Sequence, residues 1–220
     1  GAGGGAGGGG GAGGGTVDIP ENDIPLTDIP DQDVPLSDAP IFFDDVNEND
    51  WFYEAVMFCA ENEVMAGMGE NLFQPFASAN RAMVVQTLYA MAGKPEVGQN
   101  PFVDVADGAW YTSAVTWAWE KGIVAGISED TFGVDQDATR EQLAVILYQF
   151  ARVRGMDVSV STELEPAWTD TDSISPWAKD AILWCAKNGL LSGRDDGTVD
   201  PQGVANRAEM AQILMKFLSL

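Results

Sequence analysis

Apolar residues recur on one helical face after each of three tryptophans, Trp51, Trp110 and Trp177. At offsets of 4, 5, 8 and 9 residues from the tryptophan, every copy places Ala, Val, Ile, Cys or Trp. Because an α-helix turns once in 3.6 residues, these offsets share one side of the helix. The pattern therefore predicts a first amphipathic helix in each copy.

A second helix is predicted to begin 29 residues after each tryptophan, at Asn80, Thr139 or Asn206. These residue types cap helix N-termini through a side-chain oxygen. Gln142 and Glu209 complete a capping box in the second and third copies, whereas Met83 leaves the first copy without one. The apolar stripes that follow are Val84, Leu88 and Met91; Leu143, Ile146, Leu147 and Phe150; and Met210, Ile213, Leu214 and Phe217.

The helices belong to an internal repeat with fixed spacing. A glycine follows each tryptophan by 16 residues and an arginine follows it by 30, while an aspartate precedes it by six or seven. The sets are Asp45, Trp51, Gly67, Arg81; Asp104, Trp110, Gly126, Arg140; and Asp170, Trp177, Gly193, Arg207. A unit of this length cannot bury its apolar face alone, so the copies must share one core. We predict an all-α domain of three helix-loop-helix repeats at residues 41–95, 100–155 and 165–220, with each repeated glycine in a left-handed turn.

The first 40 residues have a different composition. Residues 1–15 contain only Gly and Ala and are predicted to be a flexible linker. In residues 16–40 the motif Asp-x-Pro recurs every five residues among seven acids. Proline at this spacing forbids helices and sheet ladders, and the acids repel one another, so an extended, disordered spacer is expected.

Charge and composition exclude several function classes. The formal net charge is −23, which repels nucleic acid and anionic lipid at long range. No stretch reaches the roughly 18 apolar residues that a membrane span needs, so membrane insertion is not expected. The chain has no histidine and no metal-ligand spacing, so neither a metal nor another cofactor is expected. Cys59 and Cys185 occupy equivalent positions and are interpreted as small buried hydrophobes, with a disulfide between them as the alternative.

The repeated arginine poses an electrostatic question. It stands at the first position of the second helix, where the helix dipole is positive and favours an acid. Two compensations are open. Either the repeated aspartate pairs with the arginine, or a ligand carboxylate binds the guanidinium and the free amides of the first turn.

The motifs resemble the S-layer homology domain family over residues 42–220. The resemblance rests on Trp110-Tyr111, on residues 122–126 and 189–193 with a glycine at each end, and on Asn206-Arg207-Ala208-Glu209. It implies a pseudo-threefold helical domain in which one helix per repeat joins a central bundle and the others form prongs. Grooves between the prongs of this family bind an anionic, often pyruvylated, secondary cell-wall polysaccharide. The residues implied are Arg81, Arg140, Arg207, Asp45, Asp104, Asp170, Trp51, Trp110, Trp177, Gly67, Gly126 and Gly193.

The resemblance implies a non-catalytic module that anchors a larger surface protein at the cell wall. Its partner would be a polysaccharide linked to peptidoglycan, with self-association in a surface layer as a further possibility. A glycosidase is disfavoured because nothing in the sequence fixes two carboxylates at a defined separation. A calcium-dependent structural or self-assembly module is the alternative, since the acidic loops at residues 45–50 and 195–200 could bind a hard cation. Neither loop has the EF-hand spacing.

Repeat 1 departs from the other two at two positions. It has Met83 in place of the capping-box residue, and Glu63 where the other repeats have Gly122 and Gly189. A negative charge beside a site for an anion would weaken binding, so we expect the groove of Arg81 to be the weakest of the three. Repeat 3 differs in having Val199 where the others have a phenylalanine.

Overall fold

The computed structural model describes residues 41–160 and 167–220. The predicted linker at residues 1–15 and the predicted spacer at residues 16–40 lie outside the described residues. Within those ranges the chain forms six α-helices, two per repeat, with a short 3₁₀ turn at Thr171–Ser173 and no strand, which confirms the all-α class. The helices are α1 (Tyr53–Glu61), α2 (Arg81–Met91), α3 (Thr112–Glu120), α4 (Arg140–Val153), α5 (Lys179–Lys187) and α6 (Arg207–Leu218). No helix among them is both long enough and apolar enough to cross a lipid bilayer.

The second helix of each repeat begins at the repeated arginine, directly after the predicted cap. The caps are Asn80, Thr139 and Asn206. Each accepts a hydrogen bond from the backbone N–H three residues further on. Gln142 and Glu209 also bond back to the backbone of their caps, so both predicted capping boxes are confirmed. At Met83 the box has only its first half, as expected.

Each first helix ends in the same left-handed turn. The third residue beyond the helix donates its N–H back into the last turn, as from Leu190 to the Cys185 carbonyl at 2.8 Å. The residue in the left-handed conformation is Glu63, Gly122 or Gly189, with φ of 54°, 67° and 70°. Glycine adopts this conformation freely, whereas a side chain with a Cβ is strained there. Repeat 1 therefore has a strained turn at Glu63.

Helices pack between repeats. α3 of repeat 2 packs against α2 of repeat 1, α5 of repeat 3 packs against α4 of repeat 2, and α1 of repeat 1 packs against α6 of repeat 3. Each first helix thus lies on the second helix of the preceding repeat, and the order is cyclic. The apolar offsets 4, 5 and 8 predicted for the first helices are buried, as Ala55, Val56, Cys59, Ala114, Val115, Ala118, Ala181, Ile182 and Cys185.

Offset 9 does not belong to the buried face in repeat 2. Trp119, which the pattern placed there, is 43% exposed and touches only the edge of the core through Phe102. Since each residue turns the helix by about 100°, offset 9 lies at the margin of the stripe. The buried tryptophan of α3 is Trp117, whose ring meets that of Phe150 at 5.9 Å.

A closed ring of three backbone hydrogen bonds joins the repeats. Ala79 donates to Ala205 at 2.9 Å, Ala205 donates to Ala138 at 3.0 Å, and Ala138 donates to Ala79 at 2.8 Å. All three alanines are fully buried, and each stands directly before the cap of a second helix. The ring therefore gathers the N-termini of α2, α4 and α6 in the pseudo-threefold order that the resemblance implied.

The two cysteines are buried and free, as the small-hydrophobe interpretation predicted. The Cys59 thiol lies 3.5 Å from the Ala211 carbonyl of α6, and the Cys185 thiol lies 3.8 Å from the Ala144 carbonyl of α4. Each thiol thus fills an interface between paired helices. Burial raises the pKa of both thiols, that of Cys59 to about 12, so they remain protonated at neutral pH.

We expect Ala138→Leu to lower the free energy of unfolding by about 1–3 kcal/mol, because a larger side chain overpacks the buried ring. Since the ring joins all three repeats, the loss should appear within a single transition in a denaturant titration followed by circular dichroism. Ala106→Leu, at an exposed position of the same repeat, is the matched control and should leave the midpoint unchanged. A separate, second transition for Ala138→Leu would contradict the role of the ring.

Candidate functional site

The three repeated tryptophans are exposed to nearly the same degree. Trp51 is 59% exposed, Trp110 is 57% exposed and Trp177 is 58% exposed. Each lies two residues before its first helix, on a turn whose next residues enter the core. Leaving so large an apolar surface in water at three equivalent positions is unfavourable for folding alone. The tryptophans therefore mark a surface suited to binding.

The repeated arginines are buried and hold neighbouring repeats together. Arg81 is 8% exposed, and it donates from Nε to the Phe132 carbonyl at 3.2 Å and from Nη2 to the Ala125 carbonyl at 2.8 Å. Both acceptors belong to the loop of the next repeat. The other two arginines do the same, Arg140 with Val199 and Ser192, and Arg207 with Phe73 and Ala66.

The repeated aspartates hold the same loops from the other side. Asp104 accepts the N–H groups of Phe132 and Gly133, each at 2.7 Å. Phe132 is thus fixed at its N–H by the aspartate of its own repeat and at its carbonyl by Arg81 of the preceding repeat. The equivalent residues are Phe73, held by Asp45 and Arg207, and Val199, held by Asp170 and Arg140.

Backbone carbonyls of the next repeat, and not the repeated aspartates, accept the hydrogen bonds of these arginines, while binding of a ligand carboxylate stays a prediction. Among the described residues, no salt bridge joins a repeated arginine to a repeated aspartate. Burial lowers the pKa of Arg81, and the charge of Asp104 offsets only part of that effect. The guanidinium is instead solvated by backbone carbonyls, which carry partial negative charge. Because it points into the next repeat, it avoids the positive end of its own helix.

The repeated glycines are required by close approach, which corrects the predicted left-handed turn. Their φ values are not positive. A Cβ on Gly67 would lie 2.8 Å from the Phe43 ring, and one on Gly193 would lie 2.7 Å from Trp168 Nε1. Gly126 meets Phe102 in the same way, at 2.8 Å. An aromatic residue near the start of each repeat therefore packs against the glycine backbone and positions the loop.

Two surface clefts combine residues from all three repeats. The first, called here the Arg207 cleft, has a volume of about 360 Å³. Arg207 of repeat 3 and Trp110 of repeat 2 line it together with residues 64–68 of repeat 1, which include Gly67. Met83 and Gln86 of α2 form its wall.

The second cleft, called here the Arg140 cleft, has a volume of about 350 Å³. It is lined by Arg140 of repeat 2, Trp51 of repeat 1 and residues 190–195 of repeat 3, with Glu209 and Gln212 of α6 on its wall. The repeated tryptophan, arginine and glycine within a cleft thus come from three different repeats.

The cyclic order of the repeats predicts a third, equivalent cleft around Arg81. Arg81 already bonds to Ala125, the neighbour of Gly126. The cyclic order would add Trp177 to this pair.

The order of residues in each repeat also matches a known family. The S-layer homology domain model matches residues 42–82, 101–144 and 169–211. The chain belongs to the S-layer homology domain family.

Relatives with this domain include enzymes and surface proteins. The chain is 28% identical over 183 residues to an exoglucanase XynX of Acetivibrio thermocellus, covering 81% of this chain and 16% of the relative. It is 27% identical over 168 residues to a surface-layer 125 kDa protein of Lysinibacillus sphaericus, covering 74% of this chain and 14% of the relative. It is 26% identical over 119 residues to S-layer protein EA1 of Bacillus anthracis, covering 54% of this chain and 13% of the relative. The chain spans less than a fifth of each of these relatives.

S-layer homology domains are non-catalytic, cell-wall anchoring modules of surface proteins, and this domain is accordingly extracellular and associated with the cell wall. The catalytic activities in the relatives' names belong to much longer proteins. Which activity accompanies this domain is not fixed by the domain itself.

The expectation that Arg81 has the weakest groove assumed that a repeat forms its own groove. In this S-layer homology domain, Met83 and the loop that follows Glu63 line the Arg207 cleft instead. Met83 therefore lies beside Arg207, and Glu63 lines neither described cleft, so these two departures give no support for ranking Arg81 last, which stays a prediction.

Three polar residues of the clefts were not singled out from the sequence. Arg194 takes the place of Met68 and Ile127 of the other repeats, and it bonds to Glu209 at 3.2 Å. Gln86 and Gln212 face the two clefts from equivalent helix positions. The sequence signal that could have found them is variation at one repeat position among copies that otherwise agree.

In each acidic loop considered for calcium, at least one carboxylate is paired with other groups of the protein. Both oxygens of Asp45 accept backbone N–H groups, from Phe73 at 2.8 Å and Gln74 at 2.7 Å. Asp200 pairs with Arg194 at 2.7 Å. Over residues 41–160 and 167–220, no three His, Cys, Asp or Glu side chains are placed to hold a metal ion.

Asp104→Asn should destabilise the domain at neutral pH. Burial alone would raise the pKa of Asp104, but N–H bonds from Phe132, Gly133 and Val134 lower it below its usual value. A carboxylate with a depressed folded pKa stabilises above its unfolded pKa of about 3.9 and loses that contribution as pH falls through the folded value. We expect a loss of about 1–3 kcal/mol at pH 7, shrinking below about pH 4.

Chemical denaturation at several pH values measures this difference. Asp107→Asn, at an exposed aspartate of the same loop, is the matched control and should leave the free energy of unfolding unchanged at every pH. A destabilisation by Asp104→Asn that is independent of pH would show that the charge of Asp104 does not hold the loop.

Proposed function

We propose that this domain anchors a larger surface protein by binding an anionic, pyruvylated polysaccharide linked to peptidoglycan. The observation that carries the proposal is the recurrence of an exposed tryptophan beside a buried arginine in a composite cleft. Recurrence matters because one such cleft would be an ordinary surface feature. Several clefts on one rigid ring offer a polymer several simultaneous contacts, which raises avidity.

The chemistry of the clefts suits a sugar acid. An exposed indole presents a flat apolar face to the C–H groups of a pyranose ring, while its N–H remains available to hydroxyls. A guanidinium offers paired N–H donors to a carboxylate. A pyruvate ketal has a carboxylate and a methyl group on one carbon, so it can contact arginine and apolar wall together.

The Arg207 cleft illustrates the fit. Its Nε and Nη2 donate to Phe73 and Ala66, while Nη1 has no acceptor among the described residues. Met83 and Trp110 line the same cleft. A pyruvate ketal could accept a hydrogen bond from Arg207 Nη1 through its carboxylate and place its methyl group against Met83 and Trp110. It would thus contact both the charged and the apolar parts of the cleft.

Replacing Trp51, Trp110 and Trp177 together by alanine should abolish co-sedimentation with purified cell walls, while helicity and melting temperature stay near wild type. The tryptophans are exposed, so their loss removes little packing. A central aromatic contact contributes on the order of 2 kcal/mol, so Trp110→Ala alone, which changes the Arg207 cleft, should weaken binding about thirtyfold.

Trp119→Ala is the matched control, because Trp119 is 43% exposed but does not line either cleft. It should bind walls as wild type does. Walls stripped of their non-peptidoglycan polymer should retain neither the wild-type protein nor Trp119→Ala. Undiminished binding of the triple variant to intact walls would defeat the proposal.

A further inference from the structure

The arginines of the two clefts differ in their counter-ions. In the Arg140 cleft, Glu209 Oε1 lies 3.3 Å from Arg140 Nη1 and 3.2 Å from Arg194 Nη1. Arg194 also pairs with Asp200 at 2.7 Å. Both arginines of this cleft are therefore already paired with carboxylates of the same chain, while Lys216, which also lines it, donates to the Gly189 carbonyl at 3.1 Å.

Arg207 has no such partner. No carboxylate of the described residues forms a salt bridge with it, and its acceptors are the neutral carbonyls of Phe73 and Ala66. The guanidinium lies 4.4 Å from the centre of the Phe73 ring and is 4% exposed. Burial lowers the pKa of Arg207 to about 10, and the charge of Asp45 offsets only part of that effect, so Arg207 stays charged at neutral pH. A buried cation without a carboxylate in direct contact is costly and favours an incoming anion.

The third residue of the neighbouring second helix sets this difference. That position is Glu209 in the Arg140 cleft and Met83 in the Arg207 cleft. Glu209 completes the capping box with one carboxylate oxygen and pairs with Arg140 through the other. Methionine can form neither interaction.

A second observation points to a ligand in the Arg207 cleft. Gln86 lines the cleft, and its Oε1 is buried without any hydrogen-bond donor. Over the described residues, the other side-chain atom in this condition is Trp117 Nε1, within the core. A buried acceptor left unpaired destabilises the protein unless a donor arrives. Gln212, the equivalent residue in the Arg140 cleft, has no such unpaired atom.

The Arg81 position lies between these cases. Its guanidinium also bonds only carbonyls, and its ring contact is to Phe132 at 4.6 Å. Yet Val145 occupies the place that Gln86 and Gln212 hold in the other repeats, so the acceptor is missing.

We propose that the Arg207 cleft is the principal receptor for the ligand carboxylate, that Gln86 accepts a hydrogen bond from a ligand hydroxyl or amide there, and that Glu209, as an internal counter-ion of Arg140, weakens carboxylate binding in the Arg140 cleft. This inference rests on the proposed binding of an anionic glycan. It makes Gln86 and Glu209 specificity-determining residues that act in opposite directions.

The Gln86 part is tested with the full chain by titration calorimetry, using a pyruvylated disaccharide as the probe. Gln86→Met removes the acceptor and should weaken the tightest site about three- to tenfold, the effect of one hydrogen bond. It should not lower the melting temperature, since an unpaired polar atom is removed. Gln212→Met, in the Arg140 cleft, is the matched control and should leave the affinity of the tightest site unchanged. A loss with Gln212→Met and none with Gln86→Met would overturn the assignment.

Exchanging the counter-ion tests the second part. Met83→Glu should complete the capping box and pair with Arg207, which raises the melting temperature and weakens the tightest site at least tenfold. Met83→Gln completes the box without adding charge, so it loses only the contact of Met83 with the ligand and should weaken the tightest site less than Met83→Glu does. Glu209→Gln keeps a residue type that already caps α4, and it should add one bound probe molecule per chain.

The outcomes separate this inference from the proposed function. If wild type binds the probe, but Met83→Glu binds equally well and Glu209→Gln gains no site, the inference fails and the anchoring proposal stands. If wild type does not bind the probe and also fails to sediment with intact walls, the anchoring proposal fails and takes the inference with it.

Discussion

The structure depends on a buried arginine that donates two hydrogen bonds into the loop of the next repeat. Arg81, Arg140 and Arg207 make this contact in turn, and the last returns to repeat 1. Burying a guanidinium is unfavourable unless its donors are paired. The loop must therefore keep the shape that presents its carbonyls, and that shape is held by the repeated aspartate on one side and by a glycine under an aromatic ring on the other.

One consequence is that the repeat is not the functional unit. Each described cleft takes its arginine, tryptophan and loop from three different repeats, so none exists before the ring is closed. Under the proposed function, binding and folding depend on the same arginines. The repeats vary two residues further along each second helix, where Met83, Gln142 and Glu209 stand at one repeat position. Differences among clefts arise there.

The charge distribution fits this organisation. With a formal net charge of −23, the chain repels polyanions at a distance. Arg140 and Arg207, which are buried, line the two described clefts, where the surrounding protein screens their charge less than water would. Under the proposed function, an anionic polymer would gain from the domain only where a substituent is small enough to enter a cleft. The proposed preference for a compact acid on a sugar agrees with this geometry.

The sequence by itself determined the local structure. Apolar offsets, caps such as Asn206, and fixed spacing were enough to predict six helices, two capping boxes and a shared core, because each depends on residues within a few turns of one another. The partners of the arginines, the role of Gly67 and the surroundings of Glu63 were decided by the tertiary structure. A repeat read along the chain gives the same spacing whether a contact lies within one copy or between copies. The tertiary structure decides between these two alternatives, because every first helix must bury its apolar face against the preceding repeat.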